Sequence, residues 1–95
     1  MRLTGVIWKR EFVEKMLLKH DVTTDEAENV MFGRPHVLRV EKGKVRGEHL
    51  YEAFGQTDDG RYLVVFFINK SGTALPISAR DMVDRERRYY ERQRS

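Results

Sequence analysis

The stretch RYLVVFFIN (residues 61–69) decides the fold, because it is apolar at both alternating positions from Tyr62 to Ile68. Successive side chains of a strand point to opposite faces of a sheet, so a strand of this kind must be covered on both sides. DDG before it and KSG after it are turn signals. The pattern therefore predicts a central strand.

Three further strands are predicted around this run. LYEAFGQT (50–57) precedes the DDG turn, HVLRV (36–40) lies upstream of the polar, basic loop EKGKVRGE (41–48), and TALPISAR (73–80) follows KSG. Pro76 has no backbone N–H, so its strand is expected at a sheet edge or with a bulge at the proline. A four-stranded antiparallel meander, with the apolar run inside and the proline strand outside, satisfies these conditions.

Two helices are predicted before the sheet. WKREFVEKMLLKH (8–20) carries apolar residues at four-residue spacing, which is typical of one buried helix face. Asp21 follows it, and aspartate tolerates the left-handed conformation that ends many helices. TTDEAENVMF (23–32) opens with Thr23 and Glu26 in the spacing of a capping box.

A third helix, DRERRYYERQ (84–93), is predicted to close the chain. Asp81 or Asp84 starts it, and Val83 and Tyr90 are expected to face the core at seven-residue spacing. With two N-terminal helices, the meander and this helix, the fold class is α+β.

Composition limits the classes of protein that remain. Ninety-five residues make a single domain (1–95), with 40% hydrophobic and 35% charged residues. Cysteine is absent, which excludes disulfides, thiolate catalysis and zinc–thiolate sites and favours a reducing cytoplasm. The apolar runs are too short for a signal peptide or a membrane span, so no membrane partner is expected.

Positive charge is concentrated at the C-terminal end. The net charge is +3, and six arginines crowd the last sixteen residues: Arg80, Arg85, Arg87, Arg88, Arg92 and Arg94. Four acids are interspersed among them: Asp81, Asp84, Glu86 and Glu91. Two interpretations remain open, a solvated charged helix or a surface that holds an anion.

Neither a metal nor a cofactor is expected. His20, His36 and His49 are far apart and share no ligand spacing, and the DDG aspartates suit a turn. No glycine-rich phosphate loop and no serine nucleophile elbow are present.

The C-terminal segment has the residue types that metal-free RNA cleavage requires. Arg80 ends a predicted strand, and Glu86 and Tyr90 share a helix face with Arg87 adjacent. Arginine clamps phosphate, tyrosine stacks on bases, and a carboxylate can take a proton from a ribose hydroxyl. In such a reaction the 2′-hydroxyl attacks the neighbouring phosphorus while cations stabilise the transition state.

Lys19 and His20, at the end of the first predicted helix, have two interpretations. As cations they stabilise the C-terminus of that helix. Alternatively, His20 is an acid–base group beside a lysine that binds phosphate.

Taken in order, several motifs resemble the BrnT family of bacterial type II toxins over residues 8–91. The motifs are Trp8, KH, VTTDEAENVMF, GQTDDGRYLVVFF, ISARDM and ERRYYE. The resemblance implies a RelE-like fold related to barnase-type ribonucleases and a metal-independent ribonuclease that stops growth by cutting RNA. It also implies a partner, a BrnA-like ribbon-helix-helix antitoxin.

Carried over by position, the resemblance implies a catalytic set and a substrate-binding pair. The catalytic set is Lys19, His20, Arg80, Glu86, Arg87 and Tyr90, and the substrate-binding pair is Arg61 and Arg85. Arg80 and Arg87 would hold the scissile phosphate, assisted by Lys19. The general base would be Glu86 or His20, and the other of the two, or Tyr90, would protonate the leaving group. The family often has a hydroxyl residue where this chain has Val83.

Two alternatives stay open. A module of the same fold can bind nucleic acid or a partner without catalysis. A purely structural interaction protein would use YLVVFFI and the last helix for docking only.

Overall fold

The structure, a computed structural model, describes residues 1–41 and 48–94 and confirms the α+β class with three helices. The elements are β1 (Gly5–Val6), α1 (Arg10–His20), α2 (Thr24–Phe32), β2 (His36–Glu41), β3 (Leu50–Gln56), β4 (Tyr62–Lys70), β5 (Thr73–Asp81) and α3 (Asp84–Arg94). Five strands form one mixed sheet in the order β1-β5-β4-β3-β2. The predicted four-stranded meander is therefore part of a larger sheet.

The central position of β4 is confirmed. It pairs antiparallel with β3 on one side and with β5 on the other. Leu63, Val64, Val65 and Phe67 are completely buried, so both faces of this strand are covered. The turn before β4 places Gly60 at φ 88°, a left-handed conformation that suits glycine.

The prediction that β5 is an edge strand is wrong. β1 lies parallel to β5, with Gly5 opposite Thr73 and Val6 opposite Ala74. A two-residue strand has too few positions to show a hydrophobic period, so the sequence pattern does not reveal it. The alternative expectation of a bulge is confirmed, because the ladder shifts register where Phe67 meets Pro76.

The ends of the N-terminal helices follow the sequence signals. α1 begins two residues later than predicted and ends at His20, and Asp21 caps it with a left-handed φ of 53° and ψ of 43°. Thr23 and Glu26 form the predicted capping box at the start of α2. Both helices supply buried side chains to one core on one face of the sheet, including Met16 and Val30.

The opposite face of the sheet is partly covered by α3. Tyr90 packs there with Phe54 and Val64 and is only 4% exposed, as predicted. Of the two predicted starts for this helix, Asp84 is confirmed. Val83, expected in the core, is instead 52% exposed, because it precedes the first turn of α3.

The predicted basic loop over residues 41–48 lies mostly outside the residues that the structure describes. Within the described ranges, no helix has the length and apolar character needed to cross a membrane.

Candidate functional site

Arg80 and Glu86 form a two-pronged salt bridge on the sheet face that carries α3. Arg80 pairs with Val64 near the end of β5, and Glu86 lies in the first turn of α3. Arg80 Nη1 is 2.7 Å from Glu86 Oε1, and Nη2 is 2.9 Å from Oε2. The side chains are 32% and 14% exposed. The pair is thus partly shielded from solvent, with the arginine as its more accessible member.

The electrostatic environment keeps both partners charged. The hydrogen bond from Arg80 lowers the pKa of Glu86 against the opposing effect of burial, and the Val83 N–H bond lowers it further. The same pairing raises the pKa of Arg80. Because Glu86 Oε1 also accepts the Val83 N–H at 2.9 Å, the carboxylate is held by both the helix start and the strand end.

Arg80 keeps donors for a ligand. A guanidinium has five N–H groups in a fixed plane. Three are used, two toward Glu86 and one from Nη1 to the Asp81 carbonyl at 3.1 Å. With respect to the part of the chain that the structure describes, two N–H groups remain, one on Nε and one on Nη2. That is enough for a two-pronged contact to a phosphate.

A ring and a second carboxylate adjoin this pair. The Arg80 Cζ atom is 5.5 Å from the centre of the half-buried Phe66 ring. Phe66 pairs with Ser78 on β5 and with Glu52 on β3, and directly opposed residues share a face of the sheet. We call this surface the open face; it comprises Glu52, Phe66, Ser78, Arg80 and Glu86.

A histidine–tyrosine pair lies at the far side of the same sheet face. His36 Nε2 and the Tyr89 hydroxyl are 2.8 Å apart, and the two rings meet edge to face. His36 belongs to the cross-strand row that ends at Arg80, three strands away, or ~14 Å at ~4.8 Å per strand. Tyr89 and Glu86 are both on α3, so this helix connects the two ends of the row.

Arg61 lies on the side of the sheet opposite α3, and all five of its guanidinium N–H groups form hydrogen bonds within the protein. It bonds Asp81 through Nε at 2.7 Å and Nη2 at 3.1 Å, and Glu26 through Nη1 at 3.1 Å. It also donates to the carbonyls of Asp21 at 2.6 Å and His20 at 3.1 Å. These bonds tie the end of α1 to the start of α2 and to the end of β5.

Lys19 and His20 accompany Arg61 rather than Arg80. They end α1, which packs on the sheet face opposite α3, and Lys19 is exposed. His20 is near enough to Asp81 to contribute to lowering the pKa of that carboxyl, which Arg61 lowers most. The predicted constellation is therefore divided between the two faces of the sheet, and the consecutive β5 residues Arg80 and Asp81 belong to different parts of it.

The remaining predicted residues are on α3. Arg87 places its Cζ atom 4.0 Å from the centre of the Tyr62 ring, and Arg85 is exposed in the first turn. Tyr90 is buried and meets Tyr62 edge to face, so its environment is that of a core residue.

A model of the family described as "Ribonuclease toxin, BrnT, of type II toxin-antitoxin system" matches residues 8–86. The chain belongs to this family. The resemblance drawn from the motifs is thus confirmed, and a ribonuclease toxin of a type II toxin–antitoxin system is the function that the family carries.

The fold of this BrnT-family chain is similar to a solved structure of the family. The crystal structure of the Brucella abortus ribonuclease toxin, BrnT, superposes with a TM-score of 0.62 at 18% identity. The match covers 85% of this chain and 100% of that one. Among curated proteins, no match is found.

Sequence reasoning about this BrnT-family chain missed four residues on the α3 side of the sheet: His36, Glu52, Phe66 and Tyr89. One signal was present for Glu52. It shares strand parity with Leu50 and Phe54, so the alternation of LYEAFGQ places an acid between two apolar residues of one face. No local spacing pairs His36 with Tyr89, since their contact joins residues 53 positions apart.

Proposed function

We propose that this BrnT-family protein cleaves RNA on its open face, with Arg80 as the clamp on the scissile phosphate. The observation that carries the proposal is the two-pronged bond to Glu86, which fixes the guanidinium and leaves two N–H groups for a ligand. A cation fixed before substrate arrives stabilises a developing negative charge without reorganising during the reaction. Glu86 is then a positioning residue, because it acts through Arg80.

The chemistry we propose needs no metal ion. The 2′-hydroxyl of a ribose attacks the adjacent phosphorus, and the extra negative charge on the phosphoryl oxygens is stabilised by Arg80. Arg85 and Arg87 on α3 add positive potential along the path of the RNA backbone. The partly exposed Phe66 ring beside the guanidinium offers a surface on which a base can stack.

For the other residues predicted from the sequence, the contacts support different roles. Arg61 donates its N–H groups to other parts of the fold, and Lys19 and His20 stabilise the C-terminus of α1. Glu86 has both carboxylate oxygens engaged, and Tyr90 is buried. We therefore do not assign proton transfer to any of these residues.

A type II toxin has an antitoxin partner. We propose that the partner is a BrnA-like ribbon-helix-helix protein, that an acidic segment of it covers the open face at Arg80, and that both act in the cytoplasm. The two unused N–H groups of Arg80 are as suitable for a carboxylate as for a phosphate, which supports a partner that competes directly with RNA.

Incubation of the purified protein with RNA in excess EDTA tests the proposal. We expect cleavage to persist and to leave 2′,3′-cyclic phosphate ends, since the attacking hydroxyl belongs to the RNA. Loss of cleavage with chelator, restored by Mg²⁺ or Mn²⁺, would contradict metal-free chemistry. Binding of RNA without cleavage would support the non-catalytic module instead.

A further inference from the structure

Glu52 occupies a position that the fold alone does not explain. It lies near the middle of β3, is half-buried, and projects from the sheet face that carries Arg80. Its cross-strand partners are Phe66 and Leu38, both apolar. No hydrogen bond to its carboxylate is found within residues 1–41 and 48–94, whereas Glu86 and Glu26 each bond an arginine. A carboxylate placed this way is available to a ligand.

Charged groups from neighbouring elements act on this carboxylate. Burial raises the pKa of Glu52, the nearby charge of Glu86 on α3 raises it further, and Arg80 on β5 opposes both effects. His36 on β2, bonded to Tyr89 on α3, is the diagonal neighbour of Glu52 across β2 and β3. Glu52 thus takes up a proton more readily than an exposed glutamate does, which is the property required of a base.

We infer that Glu52 is the general base of RNA cleavage, accepting the proton of the attacking 2′-hydroxyl while Arg80 holds the phosphate. The inference rests on the proposed cleavage at the open face. The proton moves to the Glu52 carboxylate as the bond between O2′ and phosphorus forms. The bond between phosphorus and O5′ then breaks, and the departing oxygen takes a proton from water. The hydroxide left behind is neutralised by the proton on Glu52, which restores the carboxylate.

The two acidic side chains near Arg80 therefore have different roles. Glu86 has a lowered pKa and bonds Arg80 with both oxygens, so it fixes the clamp. Glu52 has a raised pKa and no such bond, so it exchanges the proton. When the pKa values of two neighbouring carboxyl groups shift in opposite directions, the two groups often have different acid–base roles.

Glu52→Gln is the first test, because it preserves shape and removes the basic oxygen. With purified protein and an RNA oligonucleotide, we expect kcat/KM to fall ~10²–10⁴-fold. Thermal melting in parallel should show that the variant is folded. The matched control is Glu48→Gln, since Glu48 is also half-buried but pairs with Lys70 at 2.8 Å, and it should cut at the wild-type rate.

The pH profile separates catalysis from a merely structural role. In the wild type, kcat/KM should rise with pH as Glu52 deprotonates, at a higher pH than an ordinary glutamate would require. This limb should disappear in Glu52→Gln and persist, at lower rate, in Glu52→Asp. If Glu52→Gln cuts RNA as fast as the wild type, or keeps the limb, the inference is overturned while the proposed function stands. If the wild type itself does not cut RNA, both fail.

A substrate with a good leaving group distinguishes base from acid. Uridine 3′-(4-nitrophenyl phosphate) releases nitrophenolate, which needs no protonation. We expect Glu52→Gln to lose the same large factor on this substrate as on RNA, because the 2′-hydroxyl must still be deprotonated. Recovery of wild-type rate on it would assign Glu52 to the leaving group and overturn its role as base.

Discussion

Glu86 holds Arg80 through both carboxylate oxygens, at 2.7 and 2.9 Å, and so joins the first turn of α3 to the end of β5. The same carboxylate accepts the backbone N–H of Val83. The start of α3, the end of β5 and the position of the guanidinium are therefore parts of one hydrogen-bonded unit. A change in the capping of α3 should therefore change the position of the Arg80 guanidinium.

Val83→Thr should stabilise the protein. The Arg87 N–H bonds the Val83 carbonyl at 3.0 Å, so Val83 is the N-cap of α3, and Glu86 supplies one half of a capping box. Threonine has the shape of valine and adds the hydroxyl that the other half needs. We expect a gain of about 1 kcal/mol in the free energy of unfolding, measured by urea denaturation. Val83→Ala, which also lacks the hydroxyl, should bring no gain; equal stabilities for the threonine and alanine variants would argue against this capping.

Arg61→Ala should destabilise the fold without acting on RNA chemistry. The substitution removes one donor from Glu26 and takes the arginine donors away from Asp81 and two helix-end carbonyls. Because the side chain is one-quarter exposed, we expect a loss of about 1–3 kcal/mol in the free energy of unfolding. The cleavage rate of the folded fraction should be close to that of the wild type. A stable variant with a much slower rate of RNA cleavage would indicate that Arg61 binds the substrate.

The pH dependence of this loss follows from the sign of the pKa shifts. Arg61 lowers the pKa of Asp81, and the Thr23 backbone together with Arg61 lowers that of Glu26. Stability from a lowered carboxyl pKa is present above the ordinary value and is lost as pH falls through the folded-state value. The melting temperatures of wild type and Arg61→Ala should therefore differ most near neutral pH and converge below the ordinary range of aspartate. A gap that is constant down to about pH 2 would contradict this account.

The antitoxin should lose affinity as salt rises and when Arg80 is removed. Screening shortens the reach of exposed charges from ~10 Å at 0.1 M salt to ~3 Å at 1 M. Titration calorimetry of the purified pair across this range measures the effect, and Arg80→Ala should weaken binding most at low salt. A complex in which Arg80 and Arg87 stay open to solvent would refute the proposed competition with RNA.

The fold was predictable wherever a local pattern is long enough to be read. The apolar run of β4, the left-handed Asp21 and the capping box at Thr23 each express a constraint contained within a few residues. The two-residue β1 has no pattern, and its pairing with Thr73 and Ala74 is decided by distant packing. The sheet therefore contains one strand, β1, that no periodic pattern in the sequence predicts.

The candidate site was predictable only where its residues are close in the chain. Arg80 and Glu86 are six residues apart, and the helix start between them brings them together. Glu52 is brought to the same face of the sheet by strand pairing alone, and the spacing of residues in the sequence does not show which strands pair. Arg61 carries the same charge as Arg80, and only the structure reveals that its donors are occupied by the fold.

If Arg80 clamps the scissile phosphate, two substitutions at this position should have different outcomes. Arg80→Ala should cost about 1 kcal/mol of stability, because the pair with Glu86 is partly exposed, and the protein should still fold. Arg80→Lys should recover only part of the activity, since an ammonium keeps the charge but not the planar two-pronged geometry. Arg92→Ala, which removes an exposed arginine of α3, is the control for a loss of general positive charge.

The deciding measurement is the rate of RNA cleavage by purified, folded Arg80→Ala at a temperature well below its melting point, compared with wild type and Arg92→Ala. The clamp predicts a fall of ~10²–10³-fold for Arg80→Ala, as for removal of one preorganised donor from a charge-stabilising site, and near wild-type cleavage for Arg92→Ala. Wild-type cleavage by folded Arg80→Ala would contradict the clamp.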